Sequence, residues 1–165
     1  MKMSHSAKRI LGGTVAVIVV TGVAWAASSG TSSVLVGPPT TYGPIQMKTK
    51  TDIPEEWDVK IMAKNGLSVA TQTITFQPGG QSGWHIHPGP VFISVKEGTM
   101  TFYEDDCTAT VLTAGQGFFD AHTESHPHLA RNETGSPATN VVTYFLPPGT
   151  TTLRKDAPQP LDCQF

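Results

Sequence analysis

The histidines of this sequence are its clearest candidates for a chemical role, because five of the six lie in two short clusters. His85 and His87 stand in Gly-Trp-His-Ile-His-Pro-Gly-Pro, and the second cluster contains His122, His126 and His128. In an extended strand residues i and i+2 face the same side, so the first two imidazoles point together. A third imidazole from the second cluster would complete a metal site that leaves positions open for an exogenous ligand.

The elements that position these histidines are predicted to be strands. Short runs rich in Thr, Val and aromatic residues recur along the chain, with glycine or proline at most junctions and almost no helical periodicity. They cover 45–50, 57–62, 67–77, 84–87, 91–96, 99–103, 108–112, 117–121, 128–132 and 140–146. This pattern predicts an all-β sandwich or barrel.

Two motif spacings surround the histidines. Gly79 or Gly80 leads into the His-Ile-His pair, and Gly98 closes the hairpin that follows. Further along, a leading glycine precedes His128 and Asn132, which have the spacing His-x-x-x-Asn. These spacings resemble the two motifs of the cupin family, in particular the small secreted bacterial cupins with a single type-2 domain.

The resemblance covers about residues 66–148. It implies an all-β fold, a single-domain cupin β-barrel of the double-stranded β-helix or jelly-roll type. It also implies that His85, His87 and His128 hold one divalent transition metal. Imidazole nitrogen suits Fe, Cu, Zn and Ni, so the identity of the metal stays open among these.

One position departs from the family pattern in a way that matters chemically. Where cupins place a glutamate ligand, this sequence has Val91, which strand alternation turns inward together with Ile93 and Val95. Glu124 is the nearby carboxylate that could replace the missing ligand. The family's Pro and Gly before the final histidine are also replaced, by Thr123 and Ser125.

Two histidines of the second cluster have open roles. His126 shares strand parity with His128, but Pro127 lies between them, so His126 could be a ligand, a pocket residue or neither. His122 is more typical of a loop residue than of a ligand. The resemblance leaves no catalytic residue indicated.

Two functions follow from these features, and a purely structural barrel whose pocket is filled by side chains stays open as a third reading. One is a metal-dependent oxygenase-type enzyme acting on a small molecule, with Val91, Ile93, Met100 and Phe102 lining the pocket. The other is a non-catalytic module that binds a metal or a small ligand. Because only neutral imidazole binds a metal, affinity is predicted to fall as the pH drops through about 6.5.

The N-terminus predicts export. Basic residues, an apolar run and Ala24-Trp25-Ala26-Ala27 follow one another as in a secretory signal peptide cleaved after Ala26, although an uncleaved membrane anchor stays open. The chain then divides into a signal peptide or anchor at 1–26, a Ser/Thr/Gly/Pro-rich linker at 27–44, the barrel at 45–149 and a tail at 150–165. A secreted or extracytoplasmic protein is predicted.

Charge and size limit the partners. Cleavage after Ala26 would leave 139 residues, one ordinary domain, with 8 of the 11 basic residues against 13 acidic ones and a net charge of −5. This negative charge does not indicate a basic surface that would bind nucleic acid. A membrane is predicted to be involved only through an uncleaved N-terminus. A small-molecule ligand or substrate is predicted, and the resemblance implies a homodimer.

The two cysteines are an even pair in an exported chain, where disulfides persist. A bridge between Cys107 and Cys163 would hold the C-terminal tail to the domain. Two unpaired thiols are the alternative.

Overall fold

The computed structural model describes residues 27–51, 57–121 and 126–163. The predicted signal peptide or anchor lies outside these residues, as do His122 and Glu124. The described parts contain thirteen strands and no helix, and none of their segments is a helix long and apolar enough to cross a membrane. The strands are β1 Ser29–Leu35, β2 Thr40–Tyr42, β3 Ile45–Thr51, β4 Trp57–Ala63, β5 Leu67–Gln81, β6 His85–Ile86, β7 Val91–Glu97, β8 Thr99–Tyr103, β9 Ala109–Thr113, β10 Gly117–Asp120, β11 Leu129–Arg131, β12 Ala138–Leu146 and β13 Lys155–Asp156.

One large antiparallel sheet forms the body of the protein, in the order β10-β7-β12-β5-β11-β8-β9. The long strand β5 pairs with β12 along its first half and with β11 at its end. The sheet curls into a nearly closed barrel around one apolar core, so the predicted all-β barrel is confirmed. The buried core residues are Ala70, Phe76, Val91, Ile93, Val95, Met100, Phe102, Ala130, Ala138, Val142, Tyr144 and Leu146.

The linker predicted for residues 27–44 lies partly inside this sheet, which corrects the predicted start of the barrel. Both β1 and β2 pair with β5, through registers such as Thr31↔Phe76 and Thr41↔Ser68. The sequence did not indicate these strands, because they consist mainly of Ser and Thr and have no alternating apolar face. Between the linker and β5, β3 and β4 pair with each other in a separate two-stranded sheet.

Strand β7 follows the predicted alternation. Val91, Ile93 and Val95 are buried while Phe92 and Ser94 face outward. At the end of the strand Gly98 has φ +77°, and a Cβ there would stand 2.8 Å from the carbonyl oxygen of Pro137. Only glycine suits such a turn, so steric hindrance explains why the first motif closes with a glycine.

The C-terminal tail packs back on the barrel. Its strand β13 pairs with β6, and Ala157 N donates to the carbonyl of Trp84 at 2.9 Å. The predicted disulfide is confirmed: Cys107 and Cys163 are bridged with their Cα atoms 5.1 Å apart. Cys163 is buried in a small cluster with Trp84 and Leu129.

Candidate metal centre

A backbone bridge places the two histidine clusters together. His85 N donates to the carbonyl of His128 at 3.1 Å, and His128 N donates to the carbonyl of His85 at 3.0 Å. Residues that exchange both hydrogen bonds stand directly opposite each other in an antiparallel pair, with side chains on the same face. Of the two described histidines in the second cluster, His128 is therefore the one that meets the first cluster.

His87 joins them from two residues beyond His85. All three side chains are buried, and the ring centroids are 4.8 Å (His85–His87), 4.4 Å (His85–His128) and 5.0 Å (His87–His128) apart. One nitrogen from each ring lies within 4.8 Å of the others. The group is somewhat wider than a bound site requires, because nitrogens that share one tetrahedral ion would be about 3.4 Å apart. Small ring movements would close that difference.

In two of the three rings a backbone carbonyl holds Nδ1. Nδ1 of His85 lies 2.8 Å from the carbonyl of Gly83, and Nδ1 of His87 lies 2.7 Å from the carbonyl of Leu153. A carbonyl can only accept, so both Nδ1 atoms carry the proton and both Nε2 atoms keep a free lone pair. Neutral imidazole with Nε2 available is the form that ligates a metal, so these residues fit one.

The buried carboxylate of Asp120 lies close to the third ring, and the sequence analysis did not single it out. Its Oδ2 lies 3.7 Å from Nδ1 of His128, and both side chains are buried. A carboxylate behind a histidine is a common orienting partner in metal sites. The signal was present, because the alternation in β10 turns Phe119 outward and Asp120 inward. Asp120 is thus a carboxylate near the site besides the one proposed from the sequence, Glu124, which lies outside the described residues.

Burial controls the protonation of the imidazoles. Desolvation is the main cause that lowers the pKa of His85 well below 6.5, and nearby His128 and Arg154 lower it further. Desolvation likewise lowers the pKa of His87 from 6.5 to about 4. Both rings therefore stay neutral at neutral pH. The pH at which protons compete with a metal is lower than the value near 6.5 expected from the sequence.

The metal-free protein should consequently lose stability in mild acid. Between pH 6.5 and about 4 the unfolded chain protonates His87 and the folded chain does not. The free energy of unfolding thus falls as the pH drops through this window, by up to about 3 kcal/mol for His87, while above it this group has no effect. Urea unfolding of the metal-free protein at about pH 7 and pH 5 measures the fall.

The variant that tests this prediction is His87→Leu, which should lose less stability than the parent between the two pH values. An equal loss in parent and His87→Leu would contradict the assignment.

The histidines line a small internal cavity, here called the triad cavity, of ≈ 40 Å³. This volume holds about three water molecules. Ile93 and Phe102 line it as predicted, but Val91 and Met100, although buried in the same core, are not among its lining residues. Val91 does face inward, so the parity argument holds, while its predicted place in the cavity wall is corrected.

The remaining sequence candidates lie elsewhere. His126 is exposed, and its Nδ1 contacts Oδ2 of Asp105 at 3.1 Å on the surface. Pro127 ends the predicted parity between His126 and His128, because β11 begins only at Leu129. Buried Asn132, the last motif residue, holds a turn: its Nδ2 donates to the carbonyls of Phe76 and Ser136 at 3.0 and 2.8 Å.

Comparison with known proteins yields one family. The family model described as "Cupin domain" matches residues 72–144, which include His85, His87 and His128. No curated protein sequence matches the chain.

Three solved structures illustrate the structural similarity. The polyketide cyclase RemF from Streptomyces resistomycificus is 19% identical over 53% of this chain and 59% of its own, with a TM-score of 0.44. A sugar phosphate isomerase of the cupin superfamily from Silicibacter pomeroyi is 23% identical over 46% of this chain and 48% of its own, with a TM-score of 0.42. The cupin domain of an XRE-family transcriptional regulator from Enterobacter cloacae is 15% identical over 73% of this chain and 99% of its own, with a TM-score of 0.46. This chain thus spans 59% and 48% of the first two proteins.

Proposed function

Residues 72–144 of this chain belong to the cupin domain family, and from that premise we propose that the protein binds one divalent transition metal through His85, His87 and His128. The observation that carries the proposal is the convergence of three buried imidazoles, two of them with Nδ1 held by a carbonyl. The bound ion would act as a Lewis acid with positions open to a small exogenous ligand.

The protein's own groups set the conditions for that ion. The carbonyls of Gly83 and Leu153 fix the tautomers of two rings, and the carboxylate of Asp120, 3.7 Å from Nδ1 of His128, would orient the third. Apolar side chains such as Ile93 and Val142 line the triad cavity beside the histidines. Three neutral nitrogens without a carboxylate favour Fe, Cu, Zn or Ni, since harder ions prefer oxygen ligands.

We further propose an oxygenase-type activity on a small molecule. A larger pocket of ≈ 400 Å³ shares His85 and Tyr144 with the triad cavity, so a substrate could approach the ion from one side. The triad cavity has room for a molecule the size of dioxygen. Burial raises the pKa of Tyr144 to about 12, so its hydroxyl stays protonated and able to donate.

A non-catalytic binding module is the second candidate, and one observation favours it. Among the described residues that line the triad cavity, the only ionisable groups are the three histidines and Tyr144. None of them is a free general base once the histidines hold an ion. A module that captures a metal needs nothing more than these ligands.

Elemental analysis of the purified full chain tests metal binding, and about one transition-metal ion per chain is expected. Absence of any stoichiometric metal, both as purified and after titration with Co²⁺ or Zn²⁺, would exclude the proposal. An oxygen-consumption screen of the metal-loaded protein then separates the enzyme from the binding module.

Asp120→Asn should weaken metal binding by about 10–100-fold, because it removes the charged partner of His128 while keeping its shape. Isothermal titration with Zn²⁺ measures this loss. The matched control is Asp105→Asn, which alters an exposed Asp–His pair on the surface and should leave the affinity unchanged. Equal affinities for the two variants would argue against an orienting role of Asp120.

We also propose that the protein works outside the cytoplasm. The Cys107–Cys163 disulfide supports this, because such bonds persist in oxidising compartments. Fractionation of cells that express the full chain tests the proposal, and the partners proposed are small molecules and a second copy of the chain.

A further inference from the structure

The larger pocket beside the triad cavity, here called the outer pocket, has its own chemistry. It opens to solvent between β1 and the C-terminal tail. Ile74, Phe76, Ser82, His85 and Tyr144 line both cavities, so these residues form a shared wall. A ligand in the outer pocket would therefore lie against His85.

A cation from the tail lies in this pocket. Nη1 of Arg154 donates to the carbonyl of Ser82 at 2.6 Å, and Nη2 donates to Oδ1 of Asp156. A guanidinium has five N–H donors, so these two bonds leave donors for a ligand. Its positive charge lies at the shared wall, because Ser82, whose carbonyl accepts from Nη1, is one of the residues that line both cavities.

The neutral groups of the pocket suit the same ligand. The hydroxyl of Tyr144 donates to Oε1 of Gln72 at 3.0 Å, which leaves the amide nitrogen of Gln72 as a donor. Ile74 and Phe76 supply an apolar wall. Asp156 is the only carboxylate among the described lining residues, and Arg154 already pairs with it.

We propose that the outer pocket binds a small organic carboxylate with an apolar body, whose carboxylate pairs with Arg154. This inference deepens the proposed function by naming a substrate class, and it rests on that function only for contact between ligand and metal. A guanidinium matches a carboxylate with two parallel hydrogen bonds, which a neutral amide cannot reproduce.

The test uses benzoate and its uncharged counterpart benzamide, titrated calorimetrically into the metal-free full chain at fixed ionic strength. Benzoate is expected to bind at least about tenfold more tightly than benzamide. Arg154→Gln should abolish this preference while leaving benzamide binding unchanged. The matched control is Lys155→Gln, an exposed tail cation outside the pocket, which should keep the preference.

Equal affinities of the parent for benzoate and benzamide would overturn the inference, as would a folded Arg154→Gln that keeps the preference. Thermal melting checks folding, and Asp156→Asn gives a second route if Arg154→Gln unfolds. Removing the competing carboxylate should strengthen benzoate binding, so weaker benzoate binding with unchanged benzamide binding would also overturn it. Loss of metal binding with the benzoate preference intact would instead overturn only the proposed metal site.

Discussion

His87→Ala is expected to reduce bound Zn²⁺ or Co²⁺ from about one ion per chain to a small fraction, with at least about 100-fold weaker affinity. The variant removes a direct ligand, and loss of outer partners alone costs about 10–100-fold. His85→Ala and His128→Ala should do the same, because the three rings form one buried group. Elemental analysis and Co²⁺ absorption spectra measure the loss.

Two further histidines provide the controls for this result. His126→Ala should retain the metal, because His126 is exposed and contacts Asp105 on the surface. His122→Ala should also retain it, as the sequence predicts a loop residue there. Full metal content in His87→Ala would refute the site, whereas metal loss in His122→Ala would mean that the second cluster supplies a different ligand.

Replacing both Cys107 and Cys163 with serine should lower the melting temperature by on the order of 10 °C. The bridge closes a loop with a sequence separation of 56 residues. Closing a loop of this length contributes about 4 kcal/mol in the chain-entropy account. Calorimetry of parent and double variant, both metal-free, measures the shift.

The same variant should weaken metal binding by about tenfold, since the tail orients one of the imidazoles. The carbonyl of Leu153 accepts from Nδ1 of His87, and β13 pairs with β6 next to it. Parent protein treated with a reductant is the matched comparison and should behave like the double variant. A melting temperature and a metal affinity equal to those of the untreated parent would show that the tail holds without its bridge.

The sequence by itself determined the class of fold and most of the strands. Alternation in β7 identified Val91, Ile93 and Val95 as inward residues, because a strand buried on one face must place apolar side chains at every second position. The even number of cysteines and the predicted export together indicated the disulfide. The i, i+2 spacing identified His85 and His87 as neighbours, since that relation is local.

Strands without an apolar stripe were not predicted from the sequence. β1 and β2 are composed mainly of Ser and Thr, and their membership in the sheet depends on hydrogen bonds to β5. Backbone hydrogen bonds carry no side-chain signature, so a polar strand beside a long neighbour resembles a linker.

Only the tertiary structure decided which distant groups complete the site. The bridge between His85 and His128 excludes His126, whose side chain lies on the surface. Two of these groups come from distant parts of the chain. Leu153 lies in a tail held by a disulfide, and Asp120 ends a strand beside Val91. Sequence spacing specifies which side chains share a face within one strand, but contacts between segments depend on how the whole barrel closes.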